Sequence, residues 1–382
     1  ATEDNTVVNI SGNNSNYLLP SATTVTLHKG QSYFVKSNSD NITDLSGLTI
    51  EIAPRDNHPE DACKTFAVFN GNVATGIPTS MTNNRDHLVE QAYPISNWGT
   101  EFAITSTDGY IPSNDNADVD YIRITAAEAT SGTINDGTST TPFTLAAGAT
   151  YEYELHRSEG SCYIKTEKPV ACYLYQRSSK QIRINSSTEN DNMGDPSMVW
   201  ISPIERGIEQ ITFSTFDATG IETPNHWVNI VIPAEAVDIT GVDEYKKVKL
   251  GNTDITTAFS TTGTSTGTLN YVKGSNSKYV YARKKIDNGK YTLTSTAGAK
   301  MVVHIYGLGN VRGYAYNAGS AAVKYDSDLA IGNGTIDFNL ALLPEDHHFC
   351  ANQDYTFRIS TNSNNIDKIE LEFEFEDDIK NN

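Results

Sequence analysis

The strongest constraint on this chain is an alternation with a period of two. Apolar and polar residues alternate in Val25 to Leu27, Tyr33 to Val35, Leu48 to Ile52, Phe66 to Phe69 and Phe102 to Ile104. They do so again in Tyr121 to Ile124, Tyr151 to Leu155, Val228 to Ile232 and Met301 to Tyr306. Successive side chains of a strand point to opposite faces, so each run reads as a strand with one face on a core. Clusters of Gly, Asn, Asp and Ser separate the runs at the short spacings of sandwiches and barrels. Helical periodicity is almost absent. One or two helical turns are expected from Arg85 to Tyr93, where Leu88 and Val89 stand among polar residues. The expected fold is all-β.

The strands also recur as a pattern. A glycine preceding an aromatic-led strand occurs in Thr26-Leu-His-Lys-Gly30-Gln-Ser-Tyr33, in Thr144-Leu-Ala-Ala-Gly148-Ala-Thr-Tyr151 and in Lys285-Ile-Asp-Asn-Gly289-Lys-Tyr291. A second element pairs Asp86 with Pro94 and Asp195 with Pro203, an offset of about 109 residues at both anchors. This predicts tandem β-sandwich-like domains related by an internal repeat: a first β-domain over 1–140 and a second over 141–320. A C-terminal β segment over 321–382 follows, either a truncated module or strands added to the preceding domain. Within it, Ile369 to Glu376 alternates strictly. As a strand it would bury Ile369, Leu371, Phe373 and Phe375 and guard its edge with four glutamates.

Charge narrows the partners. Against 47 acidic side chains the 382 residues carry 28 basic ones, a formal net charge of −19, so a nucleic-acid backbone is a poor partner. No run of about 18 apolar residues exists, and membrane insertion is not expected. The polar stretch Ala1 to Asn9 lacks the features of a signal peptide. Either the chain is cytosolic or its signal peptide has been removed, and the second reading, a secreted or cell-surface protein, is the one expected.

Of the four cysteines, Cys63, Cys162, Cys172 and Cys350, the second and third invite pairing. A three-residue hairpin loop at Thr166 to Lys168 would set Cys162 opposite Cys172, making this pair a disulfide candidate; two free buried thiols are the alternative.

Few motifs carry chemistry. Gly263-Thr-Ser265-Thr-Gly267 spells a nucleophile elbow but lies in a Thr/Gly-rich loop without the flanking strand and helix that an elbow needs. Gly307-Leu-Gly309-Asn-Val-Arg-Gly313 follows a strong strand, yet no helix start follows it to cradle a pyrophosphate, and a β-turn is expected. No cofactor is implied. Carboxylates at Asp115, Asp118 and Asp120, and at Glu189, Asp191 and Asp195, leave a bound cation open without EF-hand spacing. Glu345-Asp-His347-His348 reads as a surface loop. Asp86, His87, Glu90 and Gln91 gather acid, base and amide groups within six residues. On a short helix His87 and Gln91, or Asp86 and Glu90, would share a face. They suit acid-base chemistry or a polar plug that pins a loop.

At this segment the sequence resembles the IgGFc-binding protein N-terminal domain family. The likeness rests on Phe69-Asn-Gly71, Asp86-His-Leu-Val-Glu90-Gln91, Pro94 and Trp98-Gly99-Thr-Glu-Phe102. Asp195-Pro-Ser-Met-Val with Pro203 and the Tyr/Gly-rich stretch from Gly307 to Gly319 add to it, so that it covers roughly residues 20 to 320. The resemblance implies a binding region, found in secreted mucus-associated animal proteins and in bacterial surface proteins, rather than an enzyme. Where the animal pattern brackets the loop before the His motif with cysteines, this chain has Ala74 and Arg85. A loop held differently need not keep the same ligand, so the family name does not assign immunoglobulin Fc to this chain. Scarce cysteine with abundant Asn and Lys suits a bacterial member.

The expected function is a non-enzymatic recognition or adhesion module binding a host glycoprotein or glycan, with Asp86, His87, Glu90, Gln91 and Trp98 at the binding loop. Twenty tyrosines on a polar β scaffold suit such contacts. The alternatives are a carbohydrate-acting hydrolase using Asp86, Glu90 or another carboxylate pair, and a structural spacer in a longer surface protein.

Overall fold

The structure is a computed structural model. It describes residues 1–12, 23–36, 45–58, 61, 64–78, 85–107, 119–156, 159–178, 194–216, 225–236, 248–254, 267–295, 298–309 and 312–321. The C-terminal segment beyond 321 lies outside these residues, as do Cys63, Asp115, Asp118, Glu189, Asp191, Gly263 to Thr266, and Cys350. The described chain is all-β, as the alternation predicts, with no α-helix.

Strands β1 (Thr6–Ser11), β2 (Thr23–Leu27) and β3 (Thr49–Ile52) form an antiparallel sheet in the order β2-β1-β3. The run from Tyr33 to Val35 is not a strand, and Tyr33 and Phe34 are exposed. No strand pairs with it among the described residues, so the alternation there has no described face to bury. Strands β4 (Val68–Thr75) and β5 (Asp86–Ala92) make a separate two-stranded ribbon.

Seven strands follow in one sheet: β6 (Gly99–Thr105), β7 (Val119–Ala126), β8 (Thr130–Asn135), β9 (Thr140–Leu145), β10 (Thr150–His156), β11 (Ser161–Gln176) and β12 (Ser197–Trp200). Strand β11 is its organiser, because it pairs with β6, β7, β8 and β12. The hairpin expected at Thr166 to Lys168 is not formed: β11 runs through it and slips register between Lys165 and Val170. Thr166 donates its hydroxyl to the Lys168 carbonyl at 2.8 Å and absorbs the irregularity locally. Gly132 makes room beside it, since a Cβ there would lie 2.8 Å from the Lys165 carbonyl oxygen. Cys162 therefore sits opposite Ile104 and Cys172 opposite Ile124, not opposite one another. Both are free, fully buried thiols whose pKa is pushed up by burial. The Thr/Ser/Gly-rich stretch at 137–144 is the turn and second strand of the β8–β9 hairpin, inside this sheet.

The remaining strands are β13 (Gln210–Ser214), β14 (His226–Pro233), β15 (Val248–Leu250), β16 (Thr253–Asp254), β17 (Gly267–Tyr271), β18 (Tyr279–Ile286), β19 (Lys290–Ser295), β20 (Val302–Gly309) and β21 (Arg312–Gly319). They form two sheets, β13-β19-β15-β16 and β17-β18-β14-β20-β21. Gly309 pairs with Arg312, so the glycine-rich stretch continues from strand to strand as expected.

Strands β14 and β20 explain the layering. Both are buried along nearly their whole length, which suits their near-continuous apolar sequences. One face, with Val228, Ile230, Val303 and Ile305, joins Phe213 and Leu293 of the smaller sheet in one core. The other face sends Val231 and Val302 into the core of the seven-stranded sheet. The five-stranded sheet is thus a middle layer. Its polar interruptions meet: Asn229 Nδ2 lies 3.1 Å from His304 Nε2 and donates to Thr105 Oγ1 at 2.7 Å and to the Ser106 carbonyl at 3.2 Å. Arg283 also donates to the Ser106 carbonyl, at 2.8 Å. Burial, helped by the Arg283 charge, lowers His304 from 6.5 to about 3 and keeps it neutral.

Candidate functional site

The Asp86 to Gln91 segment is strand β5, not the short helix expected from Arg85 to Tyr93. Pairing with β4 decides this, with Phe69 opposite Gln91, Asn70 opposite Glu90 and Gly71 opposite Val89. Gly71 permits the pairing: a Cβ there would come 1.8 Å from the Leu88 carbonyl oxygen. An i, i+4 spacing is also an even spacing, so His87 and Gln91 still share a face, and Asp86 and Glu90 the other.

The inner face is anchored. Leu88 packs with Ala171, Tyr173, Met198 and the fully buried Trp200, and Trp98 and Tyr93 flank this cluster. The Tyr93 ring stacks on Trp200 with centroids 4.0 Å apart. Trp98 Nε1 donates to the Tyr93 carbonyl at 3.0 Å, so Trp98 clamps the end of the ribbon. Burial raises Glu90 from 4.5 to about 7, while a bond from the Trp200 backbone N–H opposes the rise.

The outer face is open. His87 is 71% exposed at its side chain, and its Nδ1 lies 2.9 Å from Asp86 Oδ1. Beside it Val89 is 61% exposed and Phe69 66% exposed. Gln91, across from Phe69, is exposed too. Of the five expected residues, His87 and Gln91 stand on this surface. Glu90 and Trp98 belong to the anchoring side, and Asp86 holds His87. The apolar members Phe69 and Val89 were not among the expected binding residues; their outward alternation becomes visible only once β5 is a strand.

Two turns frame the ribbon. Pro94 caps a 3₁₀ turn over Ile95–Asn97, and Pro203 caps one over Ile204–Arg206. Their backbones match closely: φ −61° and ψ 153° at Pro94, φ −63° and ψ 155° at Pro203. The turns also touch, since Arg206 donates to the Ser96 carbonyl at 3.1 Å. Glu205 accepts from Thr100 N at 2.8 Å and from Thr100 Oγ1 at 2.7 Å.

Of the six carboxylates weighed for a cation, Asp115, Asp118, Glu189 and Asp191 lie outside the described residues, and the two described ones are engaged locally or buried. Asp120 spends its oxygens on Thr107, at 2.6 Å from N and 2.8 Å from Oγ1. Asp195 is buried and raised from 3.8 to about 6, by burial first and by the Asp86 charge second, with His87 acting oppositely. No cluster of three or more metal-ligating side chains occurs among the described residues. Nor does any described helix have the length and apolarity to cross a membrane.

No curated protein and no solved structure is significantly similar to the chain. The family comparison does match: the IgGFc binding protein model covers residues 1–307, taking in the ribbon, both proline turns and strands β14, β17 and β18 of the middle sheet. By that match the chain belongs to the IgGFc-binding protein family.

Proposed function

We propose that the protein is a secreted or cell-surface recognition module that binds a glycoprotein partner, without catalysis, through the outer face of the β4–β5 ribbon. The observation that carries this reading is the asymmetry of the ribbon: Leu88 is locked against Trp200 while Phe69 and Val89 stand largely in solvent beside His87 and Gln91. Clustered exposed apolar side chains rimmed by polar ones characterise protein interaction surfaces. A rigid inner anchor lowers the ordering cost of docking there. Membership of a binding family points the same way.

The hydrolase alternative needs two carboxylates flanking an open cleft. Glu90 has a pKa suited to an acid, but it faces Trp200, and Asp86 is engaged with His87. The test is an array of mucins, immunoglobulins and matrix proteins probed with the full chain. Saturable binding to a glycoprotein supports the proposal. Silence across the array would leave a structural spacer as the better account.

A further inference from the structure

Strands β13 and β21 are the edge strands of two different sheets, and they face one another across the core that those sheets share. Between them runs an open groove of about 560 Å³, lined on one side by Thr212 to Phe216 and on the other by Tyr314 and Tyr316, with Lys290 at its border. Its size falls within the range of small-ligand sites.

The aromatic lining is held in place before any ligand arrives. The Tyr314 ring lies on Gly307, where a Cβ would come 2.1 Å from its Cε1. Its hydroxyl accepts from the Phe216 backbone N–H at 3.2 Å and lies 2.8 Å from His226 Nδ1. Tyr316 stacks beside it at 6.3 Å and donates its hydroxyl to the Ser214 carbonyl. Phe216 meets Tyr314 edge-on at 5.7 Å and is nevertheless 54% exposed.

Two features select the ligand. The Ser214 carbonyl and the Phe216 N–H are already bonded to the tyrosines, so the β13 edge offers little to an added peptide strand. What remains is a set of ring surfaces, the Ser214 hydroxyl and one cation, Lys290, in a strongly acidic chain, the Thr212 and Thr215 hydroxyls being already bonded to Thr292 and Asn288. Lys290 makes no ion pair among the described residues. The electron-rich faces of aromatic rings attract the C–H face of a pyranose, and the ammonium attracts a carboxylate.

We infer that this groove binds a pyranose bearing a carboxylate, as in sialic or uronic acids. It is a second site, on different strands from the β4–β5 ribbon, and it stands independently of the glycoprotein reading.

The experiment titrates the full chain with sialyllactose, with an oligogalacturonate and with neutral lactose, read by saturation-transfer NMR and calorimetry. At least one acidic saccharide is expected to bind more tightly than lactose, and which one does identifies the source of the carboxylate. Phe216→Ala is expected to weaken binding about tenfold, as loss of an aromatic anchor does. Lys290→Gln, at an exposed position, is expected to erase the preference for the acidic saccharide with an unchanged melting temperature. Absence of binding by both acidic saccharides, or binding that survives both substitutions, would overturn the inference. Equal affinity for lactose and the acidic saccharides would overturn it as well.

Discussion

Gly99 lies so close to Pro203 that a Cβ on the glycine would stand 2.4 Å from the proline Cβ. The contact joins the two proline turns, and Glu205 fastens it by accepting bonds from Thr100. Gly99 is therefore required for the close approach rather than for an unusual φ. Gly99→Ala should force the turns apart and cost about 1–3 kcal/mol, the usual penalty for overpacking. Urea unfolding of the full chain measures it, and a midpoint equal to wild type would refute this account of Trp98-Gly99.

Leu88 is the apolar peg of the ribbon. Leu88→Ala should lose about 2–4 kcal/mol through the cavity left against Trp200 and Met198. Because the ribbon is a separate two-stranded sheet, the loss should show first as faster amide exchange at 68–75 and 86–92. Equal acceleration throughout the seven-stranded sheet would show that the ribbon is not the weaker unit.

Stability should depend on pH through groups of opposite sign. Glu90 titrates near 4.5 when unfolded and at about 7 when folded. The folded state holds the extra proton between these values, so Glu90's contribution is complete below 4.5 and lost as pH rises through about 7. Asp195, raised from 3.8 to about 6, acts in the same sense. His304 acts in reverse: its unfolded form gains a proton below 6.5 and its folded form only at about 3, so stability falls as the medium acidifies across that range. Glu90→Gln should leave His304 less opposed, making stability climb more steeply between pH 4.5 and 6.5 than in wild type. Parallel profiles for the two proteins would contradict the burial of Glu90.

Much of this architecture was legible because alternation survives whenever one face of a strand is buried. Phe102, Ile122, Val228 and Val303 all came from such runs and all lie in cores. Pro94 and Pro203 each cap a turn of the same geometry. The family resemblance was legible for the same reason, since its motif residues build the ribbon and its clamp.

The failures have local causes. Leu88 and Val89 are adjacent and apolar, which reads as a helical stripe, although Leu88 faces inward and Val89 outward on a strand. Glu167-Lys168-Pro169 looks like a hairpin turn, yet it is an irregularity in a strand whose partners change along its length. The groove between β13 and β21 was illegible, because Ser214 and Tyr316 are 102 residues apart and meet only through sheet packing.

The central claim is that the outer face of the ribbon carries recognition. Its most direct test is equilibrium binding of the full chain to an immobilised mucin glycoprotein, comparing wild type with Phe69→Ser/Val89→Ser. Both substituted side chains are exposed, so the melting temperature should stay close to wild type. The account predicts at least about a tenfold loss of affinity in the double variant. Undiminished binding with the ribbon surface so altered would contradict it.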